Sequence, residues 1–216
     1  MTRRLRIEWQ QGSKVTGLLT GAGEGSLGIL LAHGAGAGQR HPFMSGLRSL
    51  LAGAGVPTLT FDYGYMEAGR KAPDRLNRLI ECHRAVYERM SERFDRVVVA
   101  GKSMGGRVGS HMAAEMGDVE RIIFLGYPLV PIGKSEPRST DHLEQLGNPM
   151  LFIQGERDAL APLSLIGDLV SRLPDARLET IPQGDHSFRV PKRTGLDEVA
   201  VLERIASWMV EFATAD

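Results

Sequence analysis

Cysteine is almost absent from the sequence, since Cys82 is the only one among 216 residues. A single cysteine cannot form an intrachain disulfide, which favours a reducing compartment and a cytoplasmic location. The basic segment at residues 1–14 lacks the apolar stretch of a signal peptide, and no aliphatic run is long enough to span a bilayer. The sequence therefore predicts neither secretion nor a membrane partner.

An excess of charge of one sign is also missing. The sequence has 26 basic residues (Lys and Arg) and 26 acidic residues (Asp and Glu). The protein therefore has no net positive charge that would attract nucleic acid. We interpret the local basic run TRRLR at residues 2–6 as a solvated strand end rather than a nucleic-acid patch. The histidines show no metal-ligand spacing with cysteine or acidic residues, so neither a metal site nor a cofactor is predicted. What remains is a small-molecule partner, with the oligomeric state left open.

Short apolar runs rich in β-branched residues alternate with helical patterns along the chain. This alternation predicts an α/β fold, in which helices cover both faces of a mostly parallel sheet. The runs at 5–9 and 15–20 predict an N-terminal antiparallel hairpin, and apolar residues at steps of three and four predict a helix over 72–93. No linker divides the chain, so we expect a single domain over residues 1–216. The apolar residues expected to face inward from the final helix are Val199, Leu202, Ile205, Ala206 and Met209.

The glycine-rich stretch VVVAGKSMGGRVG at residues 97–109 contains a G-x-S-x-G pattern centred on Ser103. An apolar strand precedes the pattern and a small-residue helix follows it, the setting in which a nucleophilic serine is exposed on a strained turn. A phosphate-binding loop would need a further glycine at the position of Arg96, so that reading fails. Ser103 is therefore the candidate nucleophile. The neighbouring Lys102 is expected to point outward into solvent, with a contact to an acidic group of the substrate as the alternative.

A nucleophilic serine needs a base and an acid that orients the base. Asp158 and then His186 follow two later apolar strands, and parallel strands would bring both to the sheet edge that carries Ser103. We assign His186 as the base and Asp158 as the acid. Glu156 and Asp185 remain alternative acids, although Asp185 adjoins the histidine and is expected to brace its loop.

A second glycine-rich stretch, LAHGAGAG at residues 31–38, follows another apolar strand. The backbone N–H of Ala35, or that of Gly36, is expected to pair with the N–H of Met104 as an oxyanion hole. His33 opens this loop and is expected to brace it. Candidate substrate-binding residues, chosen because they follow strand ends or catalytic residues, are Tyr63, Tyr127 and Leu160.

The segments AHGAGAG, FDY, GKSMGGR, GYPL…GK, QGERD and GDHSF together resemble the α/β-hydrolase superfamily. They are most similar to its small lidless members related to dienelactone hydrolases, including testis-expressed and NSL-complex-associated hydrolase-like proteins. The resemblance spans about residues 27–212. It implies that Ser103, Asp158 and His186 act as nucleophile, acid and base. Dienelactone hydrolases themselves carry cysteine where this chain has Ser103.

These residues predict a serine hydrolase that cleaves a carboxylic ester or thioester through an acyl-enzyme, with peptidase activity as the nearest enzymatic alternative. The short stretch of sequence between Tyr127 and Asp158 leaves no room for a large lid domain. A second hypothesis is a catalytically silent α/β-hydrolase-like binding or scaffold protein. The presence of a candidate at every triad position argues against it.

Overall fold

A mixed β-sheet forms the centre of the computed structural model, which describes residues 1–117 and 119–215. Its strand order is β1-β2-β4-β3-β5-β6-β7-β8. The strands are β1 Thr2–Gln10, β2 Ser13–Thr20, β3 Gly25–Ala32, β4 Thr58–Phe61, β5 Phe94–Lys102, β6 Arg121–Leu125, β7 Met150–Gly155 and β8 Ala176–Ile181. β2 is antiparallel to β1 and to β4, and every other neighbouring pair is parallel. The predicted parallel sheet with an N-terminal hairpin is confirmed.

Helices cover both faces of the sheet. They are α1 Pro42–Gly53, α2 Gly64–Glu67, α3 Leu76–Ser91, α4 Met104–Met116, α5 Asp141–Glu144, α6 Leu163–Arg172 and α7 Glu198–Thr214. α3, α4 and α6 pack on one face, while α1 and α7 pack on the other. The helix predicted over 72–93 spans only Leu76–Ser91, and Pro73 disfavours helical backbone at Ala72. Among the described residues, the model contains no helix with the length and apolarity needed to cross a membrane.

One residue of the final helix was predicted on the wrong side. Val199 is 63% exposed, whereas Val201, Ile205 and Met209 are buried against α1 and the sheet. Two residues along an α-helix correspond to a rotation of about 200°, so Val199 points away from the side that carries Val201. The inward face of α7 is therefore centred on Val201 rather than on Val199.

The topology brings four loops to one edge of the sheet. β3, β5, β7 and β8 run parallel, so the loops at their carboxyl ends lie on the same side. Ala35 follows β3, Ser103 follows β5, Asp158 follows β7 and His186 follows β8. Crevices at the carboxyl ends of parallel strands are where open α/β sheets bind their ligands.

Several histidines are held neutral inside this fold. His83 is completely buried and its Nδ1 lies 3.0 Å from the hydroxyl of Tyr63. Burial lowers the pKa of His83 to about 3. Burial also lowers the pKa of three more side chains, namely His33, His111 and His142. The unfolded chain therefore binds more protons than the folded protein below about pH 6.5.

We expect the free energy of unfolding to decrease as the pH falls from 7 to 5. The sign follows from the lowered folded-state pKa, because protonation then favours the unfolded chain, and His83 alone contributes about 2 kcal/mol. Urea unfolding at both pH values measures the change. His83→Gln should flatten the dependence, while His41→Gln at an exposed position should leave it unchanged. An equal slope in wild type and His83→Gln would contradict this assignment.

Candidate active site

Ser103 occupies the sharp turn between β5 and α4. Its backbone has φ +51° and ψ −113°, a region that costs a residue with a side chain about 1–3 kcal/mol. The turn is tight because glycine follows: a Cβ atom on Gly105 would lie 2.6 Å from the carbonyl oxygen of Ala32. The strained backbone is thus that of Ser103, the residue whose side chain is presented at the carboxyl end of β5.

The three predicted triad side chains are joined by hydrogen bonds. His186 Nδ1 lies 2.7 Å from Asp158 Oδ2, and His186 Nε2 lies 2.9 Å from Ser103 Oγ. Because a carboxylate only accepts, Nδ1 carries the proton and Nε2 is free to accept from the serine hydroxyl. This tautomer and these distances are those required of a base that removes the serine proton.

Asp158 is held as an ionised carboxylate by its surroundings. It is 2% exposed, and burial alone would raise its pKa. Hydrogen bonds from His186 and from the Leu160 N–H, together with the charge of Lys102, outweigh burial and lower the pKa of Asp158 below its ordinary value. Gln154 Nε2 adds a third donor at 2.5 Å from Oδ2. Gln154 was not predicted, although a buried glutamine inside the apolar strand β7 was the signal available for it.

The two alternative acids make other contacts. Glu156 is exposed, and its Oε2 accepts from the backbone N–H of Gln183 at 2.8 Å. Asp185 Oδ1 accepts from the backbone N–H groups of Ser187 and Arg189, at 2.8 and 2.9 Å. Asp185 therefore shapes the turn that carries the histidine, as expected from the sequence.

The glycine-rich loop after β3 lies beside the serine. The side chain of His33 holds it: Nδ1 donates to the carbonyl of Gly34 at 2.7 Å, and Nε2 accepts from the N–H of Tyr63 at 3.1 Å. The hydroxyl of Tyr65 donates to the carbonyl of Ala35 at 3.0 Å and so helps to hold the Ala35–Gly36 peptide group. Within the described part of the chain, the Ala35 N–H has no backbone acceptor.

Met104 supplies the other predicted donor. It is the first residue of α4, where backbone N–H groups have no acceptor inside the helix. Its N–H therefore accompanies Ser103 at the positive end of the helix. The two predicted donors therefore belong to two different elements, the loop after β3 and the first turn of α4.

A cavity of about 330 Å³ opens at this edge of the sheet. Its lining is mostly apolar, and it includes Ser103, His186 and the predicted Leu160. The lining also includes Ala35 and Gly36, the two alternative oxyanion-hole donors expected from the sequence. Residues that sequence reasoning missed here are Gly34, Ala37, His41, Phe43, Met44, Ile132 and Ser187. No sequence signal marked α1 or Ile132 as part of the site, because their proximity arises only from the packing of the loops.

The prediction that Tyr63 and Tyr127 line the substrate cavity is corrected. Tyr63 is fully buried and its hydroxyl binds His83, while Tyr127 is 2% exposed and packs edge-on against Phe124. Both rings belong to the core under α3 and α4, whereas the cavity opens towards α1. A position just after a strand end does not by itself identify a cavity-lining residue, because a side chain there can turn to either face of the sheet.

The expectation that Lys102 points into solvent is also wrong. Its side chain is half-buried, and its Nζ lies 5.4 Å from the centre of the Phe188 ring. Burial lowers the pKa of Lys102 to about 8, against the opposing influence of Asp158 and Asp185. The lysine therefore belongs to the site rather than to the surface.

Comparison with known proteins agrees with this architecture. A family model described as an alpha/beta hydrolase domain matches residues 26–214. The structure of Est1E from Butyrivibrio proteoclasticus superimposes with a TM-score of 0.77 at 18% identity, covering 97% of this chain and 96% of that one. A dienelactone hydrolase from Anabaena variabilis gives 0.73 at 21% identity, with 98% and 95% covered. XC6422 from Xanthomonas campestris, described as an α/β serine hydrolase without a lid, gives 0.72 at 15% identity, with 100% and 96% covered.

Proposed function

Because the chain belongs to the alpha/beta hydrolase family, we propose that it is a serine hydrolase that cleaves a carboxylic ester or thioester. The observation that carries the proposal is the hydrogen-bonded series from Ser103 through His186 to Asp158. It joins a strained serine to an imidazole and a carboxylate, the three groups that acyl transfer requires.

In the proposed reaction Ser103 Oγ attacks the carbonyl carbon while its proton passes to His186 Nε2. The carbonyl oxygen becomes an oxyanion, which the N–H groups of Ala35 and Met104 stabilise. The tetrahedral intermediate then collapses to the acyl-enzyme, and His186 returns the proton to the leaving alcohol or thiol. Asp158 stabilises the imidazolium that exists between these two transfers.

Hydrolysis of the acyl-enzyme repeats these steps with water as the nucleophile. His186 removes a proton from water, the hydroxide adds to the acyl carbon, and the carboxylic acid leaves as Ser103 recovers its proton. The proposal requires no metal ion and no organic cofactor. All charge that develops is met by backbone N–H groups and by the His186–Asp158 pair.

The cavity supports a small acyl group as the substrate. Phe43, Met44 and Leu160 provide an apolar lining, and Ile132, 86% exposed, stands at its rim. A volume of about 330 Å³ is at the lower end of the range for small-molecule sites. We therefore infer a short-chain or single-ring acyl group rather than a long lipid.

A fluorophosphonate probe tests the proposal, because it reacts with a serine only when the hydroxyl is activated. We expect the wild-type protein to be labelled and Ser103→Ala to be unlabelled. Ser187→Ala is the matched control, since Ser187 also lines the cavity but is exposed and outside the triad. It should be labelled at the wild-type rate.

Two different results would contradict two different parts of the proposal. Labelling that persists in Ser103→Ala would contradict Ser103 as the nucleophile. A folded wild-type protein that stays unlabelled, beside a reactive control hydrolase, would contradict the serine-hydrolase proposal and favour a binding or scaffold role.

A further inference from the structure

Gly126, the residue that follows β6, leaves a space into which three polar groups of the site converge. A Cβ atom at this position would lie 3.1 Å from Lys102 Nζ, 3.4 Å from Asp158 Oδ2 and 3.4 Å from His186 Nδ1. The backbone of Gly126 has φ +67°, which a residue with a side chain rarely adopts. The lysine ammonium thus lies close to Asp158 Oδ2 and to His186 Nδ1, the ring nitrogen that does not face Ser103.

The ammonium group has no ion-pair partner in the described part of the chain. It faces the ring of Phe188, whose other neighbour is the stacked ring of Phe43 at 5.7 Å. The charged or titratable groups around it are Asp158 after β7, with Asp185 and His186 after β8. Burial disfavours the charged form of this side chain and lowers the pKa of Lys102 to about 8. An unfavourable charge beside two triad groups points to a role in the reaction.

We propose that Lys102 is a positioning residue for the reaction, in which its ammonium group sets the protonation equilibrium of the His186–Asp158 pair. The inference rests on the proposed function, because it concerns the same base. A positive charge close to the pair disfavours the imidazolium relative to the neutral imidazole, which is the form that can accept the Ser103 proton. The same charge favours the carboxylate of Asp158, which accepts from the Nδ1 proton.

Removal of the charge should therefore extend protonation of His186 to higher pH. In Lys102→Met, which keeps the length of the side chain, we expect the titration midpoint of the His186 ring to rise by about one pH unit. The acidic inflection of log(kcat/KM) for ester hydrolysis should rise with it. Lys102→Arg retains the charge and should restore both values. Lys192→Met removes an equal charge from an exposed position that follows His186 in the chain and should change neither.

Nuclear magnetic resonance of the imidazole nitrogens gives the midpoint in the full-length protein without turnover. If Lys102→Met lowered the rate but left the titration midpoint of the His186 ring unchanged, the lysine would have only a packing role. That result would overturn the proposal. An equal rise in Lys192→Met would also overturn it, since net charge would then explain the effect. If Lys102→Met fails to fold, Lys102→Gln takes its place.

The two readouts keep the two proposals apart. A shift of the midpoint in a protein that neither hydrolyses esters nor reacts with the fluorophosphonate would contradict the proposed function, and with it any role of Lys102 in the reaction. Labelling and hydrolysis with an unmoved midpoint would overturn only the role of Lys102.

Discussion

Replacement of His186 by asparagine is expected to lower kcat for hydrolysis of a short-chain p-nitrophenyl ester by about 10⁴- to 10⁶-fold. Asparagine can still donate to Asp158, so the fold and the carboxylate's surroundings are retained. It cannot take a proton from Ser103 Oγ, which lies 2.9 Å from His186 Nε2 in the wild type. The serine then has no base, and only the backbone donors and substrate binding still contribute.

His41→Asn is the matched control for this experiment. His41 also lines the cavity, but it lies at the N-terminus of α1, where its Nδ1 accepts from the Phe43 N–H. Asparagine preserves that helix cap. We expect kcat within about threefold of wild type, since no carboxylate among the described residues orients this ring for proton transfer. A comparable loss in both variants would contradict the assignment of His186 as the base.

Gly105→Ala is expected to destabilise the protein by about 3 kcal/mol, although alanine is the better helix former by about 1 kcal/mol. The added Cβ would lie 2.6 Å from the carbonyl oxygen of Ala32 and 2.7 Å from that of His33. Both are backbone atoms at the end of β3, so neither can move without displacing the glycine-rich loop. Steric overlap therefore outweighs helix propensity. Urea unfolding measures the loss, and the fluorophosphonate reaction should slow as well.

The same substitution in a different helix should have the opposite sign. Gly167 lies within α6, and in the described part of the chain a Cβ atom there would meet no atom of a neighbouring element within 4 Å. We expect Gly167→Ala to stabilise the protein by about 0.5–1 kcal/mol, because the unfolded chain loses freedom and the helix gains propensity. If both variants changed stability alike, close approach of α4 to β3 would not be the reason for Gly105.

Periodicity was sufficient to predict the main architecture. The apolar runs became β3, β5, β6, β7 and β8, and the antiparallel hairpin formed where the two N-terminal runs flank a glycine turn. The prediction that Val199 faces inward was wrong. The buried face of α7 is set by the helix it packs against, α1, and the sequence pattern of α7 alone does not contain that information. The single domain over residues 1–216, the cytoplasmic location, and the absence of nucleic-acid and membrane partners stay predictions.

Sequence order predicted the polar part of the site better than its lining. Ser103, Asp158 and His186 follow parallel strands, so their convergence depended only on strand direction. Lys102, Tyr63 and Tyr127 were misplaced because each depends on side-chain direction at or just after the end of a strand. Lys102 in particular lies inside because Gly126, distant in sequence, leaves room for its nitrogen.

The arginine-bearing strand β1 has a consequence for self-association. It forms one edge of the sheet, and edge strands present unpaired N–H and C=O groups to other chains. Arg3 and Arg4 are exposed along this strand, and Arg6 is joined to Glu67 by an ion pair. If the β1 edges of two molecules came together, their arginine side chains would lie side by side. Pairing would then be opposed by repulsion between the positive charges and by the loss of their hydration. The basic run TRRLR thereby protects the sheet from strand-to-strand aggregation at its N-terminal margin.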